Sequence, residues 1–172
     1  MVIETERLLL RPWRDEDADA CFRYARDPDV GPSAGWEAHP DAAHSLMIIR
    51  TVLSLPETYA VVLKETAEPV GSVGIMVGAA SAMGLPEDEA ELGCWIGKPF
   101  WGRGYIPEAI RALIRRCFGE LGSKAVWYGY FDANEKSKRV AEKCGFIYHH
   151  TLEGVQWPVG TRNVNCCVLR RE

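Results

Sequence analysis

The chain has 172 residues, 47% hydrophobic and 26% charged, enough for one domain with a proper core and too few for two comfortable ones. That balance excludes disorder, and no apolar run approaches the ~20 residues of a membrane-spanning helix. The net charge of −4 disfavours a dedicated nucleic-acid binder. The charge is unevenly divided: residues 1–97 carry 7 Lys/Arg against 17 Asp/Glu, a net −10, and residues 98–172 carry 13 against 7, a net +6. This reads either as chance distribution of solvated faces or as a cationic half facing a polyanion and an acidic half facing a cation.

The opening "MVIETERLLLRPW" has an acidic lead and three leucines, without the charged region, long apolar stretch and cleavage site of a signal peptide. A cytoplasmic protein is expected. Its core, "RLLLRPW", reads as a first strand. "DEDADACFRYARDPD" reads as a helix that Asp15 can cap, with Ala18, Cys21, Phe22 and Ala25 at helical spacing. A Gly/Pro-rich loop carrying Trp36 follows. A second helix is expected from about Asp41 to Leu53, with Leu46, Met47, Ile49 and Leu53 as its apolar side. "TYAVVLK" and "PVGSVGIMV" read as a hairpin, and "EAELGCWIG" as a further strand. After a long helix come the strand "KAVWYGYF", a helix from near Asn134, and two closing strands, "GFIYHHTLEGV" and "RNVNCCVLRR", joined by "QWPVGT". The order βααβββαβαββ gives a single α/β domain with a mixed sheet.

Cys21, Cys94, Cys117, Cys144, Cys166 and Cys167 form no C-x-x-C pair and sit among apolar neighbours, so buried free thiols are expected. The four histidines are scattered or, at His149 and His150, adjacent, so no metal site is expected.

The stretch "KPFWGRGYIPEAIRALIRRCF" carries the most chemistry. Ile106, Ala109, Ile110, Leu113, Ile114, Cys117, Phe118 and Leu121 make a helical ladder, with Arg111, Arg115, Arg116 and Glu120 on the other side. Pro107 suits the helix start and Gly122 its end. Gly102-Arg103-Gly104 is then a tight turn into a helix N-terminus, whose free N–H groups and partial positive charge seat anions. Glycines allow close backbone approach. A dinucleotide fingerprint is excluded by Pro107 where a third small residue belongs, and a P-loop by Gly104-Tyr105-Ile106.

"ELGCWIGKPFWGRGYIPEAI" followed by "ANEKSKRVAEKCGF" resembles the two core motifs of the GNAT superfamily of acetyl-CoA-dependent N-acetyltransferases. With "ETERLLLRPWRDED" at the front, the chain is most similar to the ribosomal-protein N-terminal acetyltransferase (Rim-type) branch. The likeness runs in order along nearly the whole chain. It implies two central parallel strands that splay apart, with pantetheine pairing along Cys94, Trp95 and Ile96. It also implies a pyrophosphate on the N–H groups of Gly102, Arg103, Gly104 and Tyr105, with charge from Arg103 or Lys136. Pro99 stands where the family motif has Gln or Arg, which removes that side chain's contribution.

Amine acetylation from a thioester needs a neutral amine, a donor for the oxyanion and a proton for the leaving thiolate. Many members of the family supply the last from a tyrosine four residues before the Gly-Phe pair; here that position is Ala141. The resemblance places Asn134 on pantetheine and Ser137 at the sulfur, although Asn134 is equally suited to cap its helix. Glu91 shares a strand face with Gly93 and Trp95 and is the candidate base, unless it merely ends the acidic loop of Glu87, Asp88 and Glu89. The N–H of Cys94 or Trp95 is the candidate oxyanion donor. Among the aromatic residues, Trp36 and Trp157 are the candidates for substrate contact, being assigned to loops.

These readings describe an enzyme that moves acetyl from acetyl-CoA to a primary amine within a ternary complex, with no metal, membrane or nucleic acid and with a homodimer admissible. The acidic half favours a cationic acceptor, either a protein N-terminus or a small amine. The alternative is a non-catalytic acyl-CoA-binding sensor or assembly module, which the missing tyrosine would suit.

Overall fold

A computed structural model describes residues 1–171. Its strands are β1 (Ile3–Glu4), β2 (Leu8–Arg11), β3 (Thr58–Leu63), β4 (Pro69–Val77), β5 (Glu89–Ile96), β6 (Ala125–Phe131), β7 (Ile147–Trp157) and β8 (Gly160–Arg170). The helices are α1 (Ala18–Ala25), α2 (Gly31–Ala34), α3 (Ala42–Thr51), α4 (Tyr105–Gly119) and α5 (Glu135–Lys143). All the strands join one sheet in the order β1-β2-β3-β4-β5-β6-β8-β7. Neighbours are antiparallel except β5 and β6, which run parallel with α4 as the crossover between them. The expected element order holds, with the two-residue β1 and the single turn of α2 added to it.

Alternation along each strand divides the core in two layers. Leu8, Leu10, Val61, Val73, Leu92, Val126 and Tyr128 point to the side where α4 packs through Ile106, Ala109, Ile110, Leu113 and Cys117. On the opposite side α1 and α3 cover β2 and β3 through Cys21, Ala25, Ile49 and Leu53. Farther along that side, β6 and β8 carry a separate cluster of Trp127, Phe131, Val164 and Cys166. The space between these last two clusters lies over β5.

Several local expectations are corrected by packing. Asp15 does not cap α1: it lies in a tight turn of Asp15–Asp17 and pairs with Arg50 at 2.7 Å. Asp17 holds that entry instead, accepting from the Arg14 N–H at 2.9 Å and meeting the buried Arg11 guanidinium at 2.7 and 2.9 Å. In α3 Met47 faces solvent, and Ser45 takes the inward position in line with Ile49 and Leu53. Arg116 of α4 is buried, not outward, because Glu57 waits beneath it at 2.5 Å. Trp157 belongs to β7, since only Pro158 and Val159 separate that strand from β8.

Candidate active site

Strands β5 and β6 pair only from Glu89/Ala125 to Leu92/Tyr128. Past that point β5 continues to Ile96 along β4, while β6 continues to Phe131 along β8, so the two diverge. The expected splay is therefore present. Its polarity follows from one hydrogen bond, from the Gly97 N–H to the Val70 carbonyl at 2.8 Å. Antiparallel pairs alternate, so the Trp95 and Gly93 backbone groups also face β4, while the N–H groups of Cys94 and Ile96 face the opening. The Trp95 N–H is thus engaged in the ladder, and its indole packs on Trp13 and Trp36 across the sheet. Of the two expected oxyanion donors, Cys94 is the free one. The Ile96 carbonyl accepts from Trp101 Nε1 at 3.0 Å.

The divergence opens into a cleft of 970 Å³ that brings together Cys94, Ile96, Gly102, Gly104, Tyr105, Asn134, Lys136 and Ser137, with Trp95 at its wall. Gly102 and Gly104 adopt φ of +74° and +80°, the left-handed region that side chains rarely accept. Among the described residues, the N–H groups of Gly102, Arg103 and Gly104 donate to no protein acceptor, and those of Tyr105 and Ile106 begin α4. This is an open, unpaired N–H cradle, and it fits a diphosphate. The Arg103 side chain is not part of the cleft wall; its guanidinium lies over Phe100, 5.7 Å from the ring centre. The cations that line the cleft are Lys98, Lys136, Arg139, Lys143 and Arg162, with Lys136 Nζ 4.1 Å from the Trp101 ring centre.

Arg7, from the far end of the chain, braces the cradle. Its guanidinium donates to the Arg103 carbonyl at 3.0 Å, pairs with Glu108 at 2.7 Å and stacks 4.5 Å over Tyr105. Asn134 caps α5 by accepting from the Ser137 N–H at 3.2 Å, and its amide donates to the Ser33 carbonyl at 3.3 Å. Capping and a place at the cleft coexist in this residue.

A second cavity, of 280 Å³, lies on the other side of the divergence and shares Cys94, Tyr128, Phe131 and Ser137 with the cleft. Glu91 and Trp157 line it. Trp36 does not; it packs on His39 and Trp95 beneath. The Glu91 carboxylate accepts from Ser81 Oγ at 2.6 Å, and burial pushes its pKa up against the opposing effect of the Ser81 and Ala82 hydrogen bonds. Across the opening, the Tyr128 hydroxyl sits 2.8 Å from Ser137 Oγ and 3.3 Å from Cys94 Sγ. Burial raises the Cys94 thiol to about 11 and the Tyr128 phenol well above its ordinary range, so both are neutral. Ala141 is core, 2% exposed.

Arg7, Ser81 and Tyr128 were not among the residues assigned to the site from sequence. Tyr128 alone carried a local signal, a hydroxyl on the same strand face as the apolar Val126. The contacts of Arg7 and Ser81 depend on segments that local pattern does not connect.

The acetyltransferase (GNAT) domain model matches residues 7–147. The N-acetyltransferase YoaA of Bacillus subtilis is 27% identical over 99% of this chain and 98% of its own length. A GNAT-family acetyltransferase from Bacillus anthracis shares the fold, with a TM-score of 0.86 at 20% identity over 99% of this chain and 98% of that one. A ribosomal-protein-S5-alanine acetyltransferase from Vibrio fischeri shares it with a TM-score of 0.77 at 16% identity, covering all of this chain and 97% of that one. With the family model spanning most of the sequence and the divergent strand pair and N–H cradle both present, this chain belongs to the GNAT family of N-acetyltransferases.

Proposed function

We propose that this enzyme transfers acetyl from acetyl-CoA directly to a primary amine, with both substrates bound at once. The observation that carries the reading is the divergence of β5 and β6. It joins a cation-lined cleft to a second cavity and leaves the Cys94 N–H free at the junction. The pyrophosphate would rest on the cradle of residues 102–106 beside Lys136, and the pantetheine arm along Cys94 and Ile96.

In this reading Glu91 takes the proton that the amine loses, a task its raised pKa suits. The Cys94 N–H donates to the oxygen that becomes negative as the amine adds. Ser137 gives the thiolate a proton, and the Tyr128 hydroxyl, 2.8 Å from its oxygen, is placed to donate to it. Tyr128 thereby fills, from a strand, the neighbourhood where Ala141 leaves the helix without a hydroxyl.

Calorimetric titration with acetyl-CoA, beside a truncated thioester lacking the 3′-phosphoadenosine and the pyrophosphate, tests the assignment. A Kd on the order of micromolar for acetyl-CoA and at least a hundredfold loss on truncation is expected. Equal affinity for both would overturn the cradle assignment. Binding without thiol release in the presence of any amine would make the protein an acyl-CoA-binding module instead.

A further inference from the structure

Resting on that reading, we infer that the acceptor is a primary amine carried on an uncharged, apolar group of side-chain size, and not a polycation. The second cavity is walled by Met76, Met83, Leu152, Val155, Trp157 and Val164, drawn from β4, β7, β8 and the segment before β5. Glu91 is the sole carboxylate among its lining residues. The other ionisable groups there are the Cys94 thiol and the phenols of Tyr128 and Tyr130, all pushed up by burial and neutral. One ammonium therefore meets one carboxylate. A second or third positive charge would be placed against thioethers, an indole and branched aliphatic groups with nothing to pair it.

The acidity of the first half of the chain offers no compensating surface at this cavity. Several of these acids are already paired, Asp15 with Arg50, Asp29 with Lys98, Glu57 with Arg116 and Asp88 with Lys124, and none of the four lines the cavity. At 280 Å³ the cavity falls just below the roughly 300–1,000 Å³ typical of small-molecule sites, which suits one compact apolar group.

The test compares three amines by acetyl-CoA-dependent thiol release: leucinamide, argininamide and spermidine. Leucinamide and argininamide present the same α-amine, and the second adds one cation that this chemistry does not acetylate. The expected result is a kcat/KM at least tenfold higher for leucinamide than for either of the others. Equal or higher efficiency with argininamide or spermidine overturns the inference and leaves acetyl transfer standing. Bound acetyl-CoA with no turnover of any of the three overturns both. Met83→Glu, which adds a carboxylate to the wall, is expected to narrow the leucinamide preference at least threefold; an unchanged ratio in a folded variant, checked by circular dichroism, counts against the cavity as the acceptor site.

Discussion

The Tyr128 hydroxyl and Ser137 Oγ stand 2.8 Å apart where β5 and β6 part, with the Cys94 thiol 3.3 Å behind the phenol. Three neutral groups stand in a row, and either atom of each contact can donate; with the phenol donating to Ser137 Oγ, the serine proton is left to point into the cleft. Tyr128 is then a positioning residue that turns the Ser137 proton toward a leaving group. Tyr128→Phe is expected to lower kcat about tenfold and Ser137→Ala about a hundredfold, with the acetyl-CoA KM within about twofold of the parent. The double variant should be no slower than Ser137→Ala alone, because the phenol acts only through the serine. Additive losses in initial-rate measurements would separate the two residues.

The pH profile of kcat/KM reports Glu91. As the proposed base, its carboxylate must be ionised; burial places its pKa above the ordinary value of 4.5, so activity is expected to fall as pH drops through that raised value. Ser81 donates to the charged form and holds the pKa down. Ser81→Ala is therefore expected to move the acidic limb to higher pH, while Glu91→Gln lowers kcat by about a hundredfold and abolishes that limb. An acidic limb unmoved by Ser81→Ala would show that another group sets it.

Arg7 fixes a turn ninety-odd positions away through its bond to the Arg103 carbonyl at 3.0 Å. Arg7→Ala is expected to raise the acetyl-CoA KM about fivefold at nearly unchanged kcat, with a stability loss of about 1 kcal/mol because the side chain is 42% exposed. Arg7→Lys should not restore the KM, since a single ammonium cannot serve Glu108, the carbonyl and the Tyr105 ring together.

His39 is buried beneath Trp36, its Nδ1 2.7 Å from Ser45 Oγ, and burial with the neighbouring His44 pushes its pKa down to about 4. Unfolded, it would titrate near 6.5. Above that pH both states are neutral and the group is without effect. Between 6.5 and 4 the unfolded chain takes up a proton that the folded chain refuses, which costs up to about 1.4 kcal/mol per pH unit. His39→Gln should therefore lose less Tm than the parent over this interval; parallel melting curves would show His39 to be solvated.

Much of this architecture is written in local pattern. The ladder from Ile106 to Cys117 marks α4, the alternation of Leu92, Cys94 and Ile96 marks the buried face of β5, and the glycines at 102 and 104, read as a tight turn, form one with positive φ. Asn134 caps where it was expected to. Pattern fails where partners are distant. Arg116 reads as an outward cation until Glu57 is placed under it, and Met47 reads as core until Ser45 meets His39. Which of Cys94 and Trp95 presents a free N–H depends on the register of β5 against β4, which neither residue encodes. The charge division was visible as a sum, yet the sum does not say which acids already have partners.

Cys94 and Ile96 have one further consequence. Alternate residues of a strand recur at about 6.6–6.8 Å, so the open edge of β5 is a short ruler with two marks. A guest that meets both N–H groups has one register along the strand. Each such bond exchanges for one with water and adds only about 1 kcal/mol, so the edge contributes little to how tightly a long molecule is held. What it sets is where that molecule stops, and Glu91 and Ser137 stand near the stopping point.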